Sequence, residues 1–225
     1  MGLQQMGRKQ QSFVVVGLGA FGSVVATELA RFGNRVLGID LDERPVNQFA
    51  NVLTATAVLD TTDEGALREI GCDRYDVALV AIGEDIQANI LTTMNMRMLG
   101  IETIWAKAAN RTHHRILSKL GADRVILPEQ EMGRHAAQML NNPAVHDYVS
   151  LGNSYNVVNL MVTRQLAGKP FSALGIEKDP SLRYLGMMRG TEFIGSAAPD
   201  MPLAEDDRLL LLGRRADLTR FGETL

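Results

Sequence analysis

Three glycines in one short segment have the spacing needed to hold a phosphate group against the backbone. Gly17, Gly19 and Gly22 stand in "GLGAFG", directly after the apolar run "FVVV". In such a turn the first glycine allows a tight bend, the second lets the backbone approach a pyrophosphate, and the third lets helix and strand pack closely. The phosphates would face a helix N-terminus, where free N–H groups and the positive dipole end favour anions. We therefore interpret the segment as a nucleotide-binding turn rather than a merely structural one.

Asp40 supplies the acid expected at the ribose. It ends the apolar segment "RVLGID", 23 residues after Gly17, close to the roughly 20 residues typical of a ribose-binding acid. A carboxylate there would repel a 2′-phosphate, so adenosine phosphates or NAD(H) are favoured over NADP. We interpret the nearby charges of Asp42, Glu43 and Arg44 as the solvated start of a helix.

Two further charged residues end predicted strands. Asp60 ends the third strand, and two roles stay open for it: a polar wall of the nucleotide pocket, or the cap of the following helix. Lys107 ends the fifth strand. Because ligands of open α/β sheets bind at the carboxyl ends of the strands, this cation is well placed to meet a phosphate.

A small NAD-dependent oxidoreductase is the alternative function. Such an enzyme needs a proton donor beside the nicotinamide, and the sequence offers no convincing one. The four histidines lack the spacing of metal ligands, and we interpret them as surface or partly packed side chains; they are His113, His114, His135 and His146. Cys72 is interpreted as a small residue near a helix end, and a free thiol fits a reducing cytosol.

Composition limits the classes of protein to consider. With 225 residues, of which 46% are hydrophobic and 22% charged, the chain can bury a sizeable core. A net charge of −3 gives no overall attraction to phosphate backbones, so we expect no nucleic-acid partner. No segment approaches the roughly 18 apolar residues of a membrane-spanning helix, and the opening "MGLQQMGRKQQS" lacks the apolar run of a secretory signal. We expect a soluble, cytoplasmic protein.

The elements that must position these residues alternate between strand and helix. The predicted strands are "FVVV", "RVLGID", part of "VLTATAVLD", "DVALVAIG", "TIWAKA" and "RVILP". Between them lie helical patterns, and Ile86, Ile90, Met94 and Met98 mark one apolar helix face at a spacing of four. This alternation predicts an α/β fold: a Rossmann-like parallel sheet with helices on both faces.

The pattern changes after Pro128. The helical segment "EQEMGRHAAQMLNN" has one apolar face, formed by Met132, Ala136, Met139 and Leu140, and "NNP" ends it. Short strands follow in "YNVVNLMVTR", "RYLGMMRG", "EFIGSA" and "RLLLLGRR", with one short helix near "FSALG". We predict a flexible tail at 1–12, a nucleotide-binding N-lobe at 13–128, a linking helix at 129–143 and a smaller α+β C-lobe at 144–225. A lobe of about 80 residues usually needs support, which dimerisation would supply.

Several motifs together resemble a known family. The series "VVVGLGAFG", "VALVAIGEDIQANILTT", "IWAKAANRTHHRIL" and "GADRVILPEQEMG" closely resembles the regulatory subunits of Ktr and Trk potassium transporters, which are built from RCK domains. The resemblance covers residues 13–225, and a single N-lobe with one C-lobe points to the Ktr type. It implies a non-enzymatic switch: a homo-oligomeric ring, typically of eight subunits, beneath a potassium-translocating membrane subunit that often also uses sodium. ATP and ADP would compete for the pocket, and the ring would lie at the inner face of the membrane.

The resemblance also implies a role for individual residues. The phosphates would be lined by Gly17, Gly19, Phe21 and Gly22, and Lys107 would reach one of them. The ribose would be held by Asp40 with Leu41, and the adenine would lie near Asp60 and Thr61. The end of the fourth strand would be formed by Ala81 and Ile82. Glu129 would face the γ-phosphate across a divalent cation such as Mg²⁺, from a neighbouring subunit; its alternative role is to favour the positive end of its own helix. The sequence departs from the family at Ala20, where an arginine is frequent, and the loss of this cation bears on the preference for ATP over ADP.

Overall fold

The computed structural model of the protein describes residues 10–141 and 145–223. The chain divides into two compact units between Pro128 and Glu129. Residues 1–9 of the predicted tail lie outside the described residues, as do Asn142 and Pro143 at the predicted end of the linking helix. Ser12, predicted to belong to the tail, begins the first strand.

The first unit contains six strands in one parallel sheet, as predicted. The strands are β1 (Ser12–Val16), β2 (Arg35–Asp40), β3 (Ala55–Val58), β4 (Val77–Val80), β5 (Thr103–Lys107) and β6 (Arg124–Ile126). Their order in the sheet is β3-β2-β1-β4-β5-β6, and every neighbouring pair is parallel. The order reverses between β1 and β4, which makes the carboxyl ends of these two strands the expected ligand crevice of an open α/β sheet.

Helices cover both faces of this sheet. They are α1 (Ala20–Arg31), α2 (Glu43–Phe49), α3 (Glu64–Glu69), α4 (Ile86–Met98) and α5 (Arg111–Lys119), with a 3₁₀ turn at Cys72–Arg74. Val14 and Val16 of β1 pack in one hydrophobic cluster, whereas Val15 packs in another on the opposite face. This explains why the central strands are continuous apolar runs rather than alternating ones. The fold is Rossmann-like.

Helix α4 buries a different face from the one its apolar residues suggested. Of the four residues of that predicted face, Ile86, Met94 and Met98 are exposed, by 38%, 37% and 57%, and Ile90 is half-buried against the core. The buried side carries polar residues together with one methionine: Asn89, Thr92, Thr93, Asn95 and Met96. The physical reason lies in the sheet, because carbonyl groups at the strand ends and in the following loops need donors, and this face of α4 supplies them.

The second unit combines an antiparallel sheet with two helices. Its helices are α6 (Pro128–Asn141), which begins at the last residue of the first unit, and α7 (Arg215–Gly222). Its strands are β7 (Val145–Gly152), β8 (Tyr155–Met161), β9 (Leu182–Arg189), β10 (Glu192–Ile194) and β11 (Arg208–Arg214), in the sheet order β10-β9-β11-β8-β7. The predicted short helix near "FSALG" is a 3₁₀ helix at Phe171–Leu174. The sequence-based prediction missed β7 and α7. Strand β7 is an edge strand whose exposed side chains follow no simple alternation, so its pattern carries little signal.

The apolar side chains of α6 are not buried within the described residues. Met132 is 63% exposed and Leu140 is 83% exposed. Their predicted helical face therefore exists as a surface, available to another element or another chain. Across the described ranges, no helix combines the length and apolar character needed to cross a bilayer.

Candidate functional site

The glycine turn lies at the crevice between the ends of β1 and β4. Gly17 has a φ of +90°, which disfavours any residue with a side chain. A Cβ atom at this position would also lie 3.0 Å from the carbonyl carbon of Ala81 and 3.1 Å from the nitrogen of Ile82. The structure therefore brings together three of the predicted site residues, and the first of them must be glycine.

Gly22 and Gly19 differ in what surrounds them. A Cβ atom on Gly22 would lie 1.8 Å from the carbonyl oxygen of Gly17, so α1 packs directly against the turn. Gly19 has an ordinary φ of −69°, and among the described residues no atom lies within 4 Å of the position its Cβ would take. Gly22 is needed for packing within the lobe, while the space beside Gly19 is open.

The N-terminus of α1 is left without a side-chain cap. The other four helices of this unit are capped by side-chain oxygens that accept backbone N–H groups, those of Asp42, Asp63, Asp85 and Asn110. In the described part of the chain no side chain does this for α1, whose N-cap is Gly19 and whose first turn holds no acid. Free N–H groups at the positive end of a helix dipole attract an anion.

Asp40 ties the glycine turn to the end of β2. One carboxylate oxygen accepts the N–H of Leu18 at 2.7 Å, and the other accepts the N–H of Asp42 at 2.9 Å. Its first structural task is therefore to shape the turn, and the remaining lone pairs are left for a ligand. The next side chain, Leu41, is 72% exposed. Asp42 caps α2 and also accepts hydrogen bonds from the Arg44 guanidinium, which lower the pKa of the Asp42 carboxyl. The predicted solvated helix start is therefore confirmed.

The loop after β3 tests one of the two roles left open for Asp60, the cap of the following helix. The cap of α3 is Asp63, so the capping role for Asp60 is wrong. Asp60 instead accepts the hydroxyl and the N–H of Thr62, at 2.7 and 2.9 Å, and these bonds lower its pKa. The hydroxyl of Thr61 is buried and lies 2.7 Å from that of Thr92 on α4, so it is engaged inside the lobe.

Lys107 lies beside the loop that follows β4. Its Nζ atom is 3.1 Å from the position that a Cβ on Gly83 would take. Its carbonyl oxygen and that of Ile82 both accept hydrogen bonds from the side-chain amide of Asn89, at 3.0 and 2.6 Å. Ala81 is nearly buried, and its N–H donates to the carbonyl of Val16 at 2.7 Å. The ends of β1, β4 and β5 are thus joined at one edge.

Comparison with known proteins now identifies the fold family. Residues 13–128 match the TrkA-N domain. This chain belongs to the TrkA-N (RCK) family. The TrkA-N match covers every predicted site residue except Glu129, which lies in the second unit.

A curated relative extends the similarity beyond the TrkA-N domain. The chain is 38% identical to the Ktr system potassium uptake protein A of Bacillus subtilis (strain 168) over 217 residues, which is 96% of this chain and 98% of the relative. The family resemblance seen in the motifs is therefore confirmed.

Solved structures similar to this chain include proteins with a bound nucleotide. A GsuK channel bound to NAD has a TM-score of 0.64 at 15% identity, covering 97% of this chain and 40% of that one, and shows the fold alone. GsuK bound to ADP has a TM-score of 0.50 at 27% identity, covering 58% of this chain and 34% of that one.

Two of the four histidines, and Cys72, are packed against other parts of the chain. His113 is 2% exposed rather than at the surface; its Nδ1 accepts the N–H of Ala109, and burial lowers its pKa. His135 stacks on Tyr148 with ring centroids 4.6 Å apart. Cys72 lies just after α3, near a helix end as predicted; it is buried, and burial raises its pKa to about 12. Glu129 is exposed in the first turn of α6.

Sequence reasoning missed the polar side of α4, which donates hydrogen bonds at the strand ends beside the candidate site. Asn89 bridges the ends of β4 and β5, and Asn95 donates to the carbonyls of Thr61 and Thr62 at 3.1 and 2.9 Å. A signal was present: Asn89, Thr92 and Thr93 recur at helical spacing, on the side of α4 opposite its apolar stripe. Polar residues in such a stripe indicate a buried face with carbonyl groups to satisfy.

Proposed function

We propose that this protein is the nucleotide-sensing regulatory subunit of a Ktr-type, sodium-dependent potassium uptake system, and that it binds ATP or ADP without enzymatic chemistry. One observation carries the proposal: the uncapped N-terminus of α1 stands beside open space at Gly19, in a domain of the TrkA-N family. Such an end is suited to a pyrophosphate. GsuK bound to ADP, similar over 58% of this chain, supports a nucleotide as the ligand, and NAD(H) is the competing one.

The proposed contacts are those that the family resemblance implies, and the position of these residues at one edge of the sheet supports them. The backbone of Gly17, Gly19, Phe21 and Gly22 would contact the phosphates, with Ala81 and Ile82 closing the turn from the end of β4. The free lone pairs of Asp40 would accept the ribose hydroxyls, beside Leu41. Asp60 and the backbone of Thr61 would lie near the base, and Lys107 would neutralise a phosphate.

A third phosphate would separate the two nucleotide states. A ligand shifts a conformational equilibrium only through its different affinity for the two states, and the γ-phosphate with its metal supplies such a difference. Glu129, contributed by a neighbouring subunit, would face that phosphate across Mg²⁺, because two anions need a cation between them. Ala20 provides no cation at this position, so we expect a modest preference for ATP.

We propose that the active form is a homo-oligomer, an octameric ring at the inner face of the membrane that contacts the potassium-translocating subunit. Two helices support assembly, since α4 exposes Ile86, Met94 and Met98 and α6 exposes Met132 and Leu140. Such apolar faces are costly to leave in water and favour contact with another chain. A closed ring would cover them without leaving an unpaired end.

Calorimetric titration with ATP, ADP and NADH tests the site. We expect ATP and ADP to compete for one site, and Gly19→Val to abolish binding by filling the space beside the phosphates. The φ of Gly19 is accessible to valine, so the unfolding temperature of the variant should match that of the wild type. Wild-type affinity for ATP in Gly19→Val would show that the pocket is misplaced.

Light scattering tests the assembly. We expect a mass of several subunits for the purified protein. A monomer of 24.6 kDa at micromolar concentration would refute the ring.

A further inference from the structure

The side chain of Asn89 forms a bridge between two strand ends. Its amide nitrogen donates one hydrogen bond to the carbonyl of Ile82 at 2.6 Å and another to the carbonyl of Lys107 at 3.0 Å. Asn89 is fully buried, and the two carbonyls that accept its hydrogen bonds lie just after β4 and at the last residue of β5. An amide has two N–H groups on one planar nitrogen, and both are used here.

The bridge fixes the spacing of groups that face the proposed ligand. Lys107 contributes its carbonyl to the bridge, and its Nζ atom lies against the Gly83 loop at 3.1 Å from the position of a Cβ. Ile82 contributes the other carbonyl, and its nitrogen lies close to Gly17 of the glycine turn. A change in the distance between the β4 and β5 ends would therefore move Lys107 relative to the turn.

Burying the Asn89 side chain is unfavourable in free energy at one of its atoms. The Oδ1 atom of Asn89 is buried and has no hydrogen-bond partner among the described residues. An unpaired buried oxygen is unfavourable, so the two donated bonds must outweigh it. One turn further along the same face, the hydroxyl of Thr93 is also buried and unpaired within the described chain, but it bridges nothing.

Side chains of helix α4 also form hydrogen bonds to the loop after β3. Thr92 bonds Thr61, and Asn95 donates to the carbonyls of Thr61 and Thr62, in the loop after β3. Helix α4 is thus tied through its inner face to the loops after β3, β4 and β5, whereas its outer face presents exposed apolar side chains.

We propose that Asn89 is a positioning residue of the nucleotide site, which sets Lys107 against the glycine turn and links occupancy of the site to helix α4. The inference rests on the proposed function. Asn89 does not touch the nucleotide; it acts through the Ile82 and Lys107 carbonyls. A phosphate that draws Lys107 toward the N-terminus of α1 would pull on the Asn89 bridge. Helix α4, which carries Asn89 and the exposed apolar face, would then move.

The test uses the full-length protein with three single variants. Asn89→Leu has a similar volume but no donor, Asn89→Ser is polar but too short to bridge, and Thr93→Val is the matched control on the same face. Calorimetry with ADP and ATP should show about tenfold weaker binding for both Asn89 variants, the loss expected when two positioning hydrogen bonds disappear. Thr93→Val should bind both nucleotides within about twofold of the wild type, because the Thr93 hydroxyl makes no hydrogen bond within the described residues and the change therefore breaks none at the edge.

A double-mutant cycle separates positioning from simple stabilisation. If Asn89 acts through Lys107, the double variant Asn89→Leu/Lys107→Met should bind ADP no more weakly than Lys107→Met alone. Hydrogen exchange provides a second readout: ADP should protect the segments 82–85 and 107–110 in the wild type and in Thr93→Val, but not in the Asn89 variants. A merely structural residue would lower the unfolding temperature without changing either readout.

The outcomes distinguish this inference from the proposed function. If the wild type binds neither ATP nor ADP, the proposed function fails and the inference fails with it. If the wild type binds and the folded Asn89 variants bind within twofold of it, the proposed function stands and the role of Asn89 is refuted. Should Asn89→Leu fail to fold, Asn89→Ser decides by the same criteria.

Discussion

Replacing Gly22 by alanine tests the packing that shapes the nucleotide turn. The added Cβ would lie 1.8 Å from the carbonyl oxygen of Gly17, whereas ordinary contact begins near 3.4 Å, so helix and turn would have to separate by about 1.6 Å. The opposing atoms are backbone and cannot rotate away. Overpacking of this kind costs about 3 kcal/mol, at the upper end of the usual range, and alanine returns about 1 kcal/mol of helix propensity.

The expected net loss is about 2 kcal/mol in the free energy of unfolding of the first unit, or roughly 8 °C in its unfolding temperature. Thermal unfolding followed by circular dichroism measures it. Gly19→Ala is the matched control in the same turn, because its Cβ meets no described atom within 4 Å and its φ suits alanine. It should unfold within about 2 °C of the wild type, as expected for a change that touches nothing. Equal unfolding temperatures for the two variants would show that α1 does not press on the turn.

Three further predictions address pH, the second unit and the metal. Burial lowers the pKa of His113 below its ordinary 6.5, so the unfolded chain binds more protons than the folded one and stability should fall as the pH drops through 6.5. His113→Asn should therefore flatten the dependence of the unfolding temperature on pH between pH 7 and 5. An unchanged dependence in this variant would contradict the prediction. Asp207 is 1% exposed and accepts two hydrogen bonds from Arg189, at 2.9 and 2.7 Å. Asp207→Asn should therefore lower the free energy of unfolding, measured with urea, by about 3 kcal/mol. A loss below about 1 kcal/mol, typical of a surface pair, would refute the importance of this ion pair. Glu129→Gln should weaken ATP binding and its Mg²⁺ dependence while leaving ADP binding unchanged, and equal shifts for both nucleotides would leave only a role at the helix N-terminus.

Local patterns were sufficient for the nucleotide turn. Gly17 requires its positive φ, Gly22 has no room for a side chain, and Asp40 ends β2 as its spacing indicated. These features depend on neighbours within one strand, turn and helix, so they are visible in a single short segment. The β-α alternation was equally informative because strands buried on both faces form continuous apolar runs.

The second unit was harder to predict from local signals. Strand β8, with its alternating burial, and β11, rich in leucine, were recognised, whereas β7 and α7 were not. An edge strand such as β7 buries little apolar surface, so its periodic signal is weak. Helix α7 does bury Leu218 and Phe221, but it has only 8 residues, so its pattern is too short to stand out.

The sequence by itself determined the order of strands and helices in the first unit, the glycine turn and the acid that follows it. The tertiary structure decided that Asp63 rather than Asp60 caps α3, that His113 is buried, and that α4 turns Asn89 and Met96 inward and Met94 and Met98 outward. Asn89 satisfies carbonyls that lie 7 and 18 residues away in the chain. Such partners meet only when the parallel sheet brings its strand ends together, and a buried carbonyl without a donor is costly enough to override the apolar pattern of a helix.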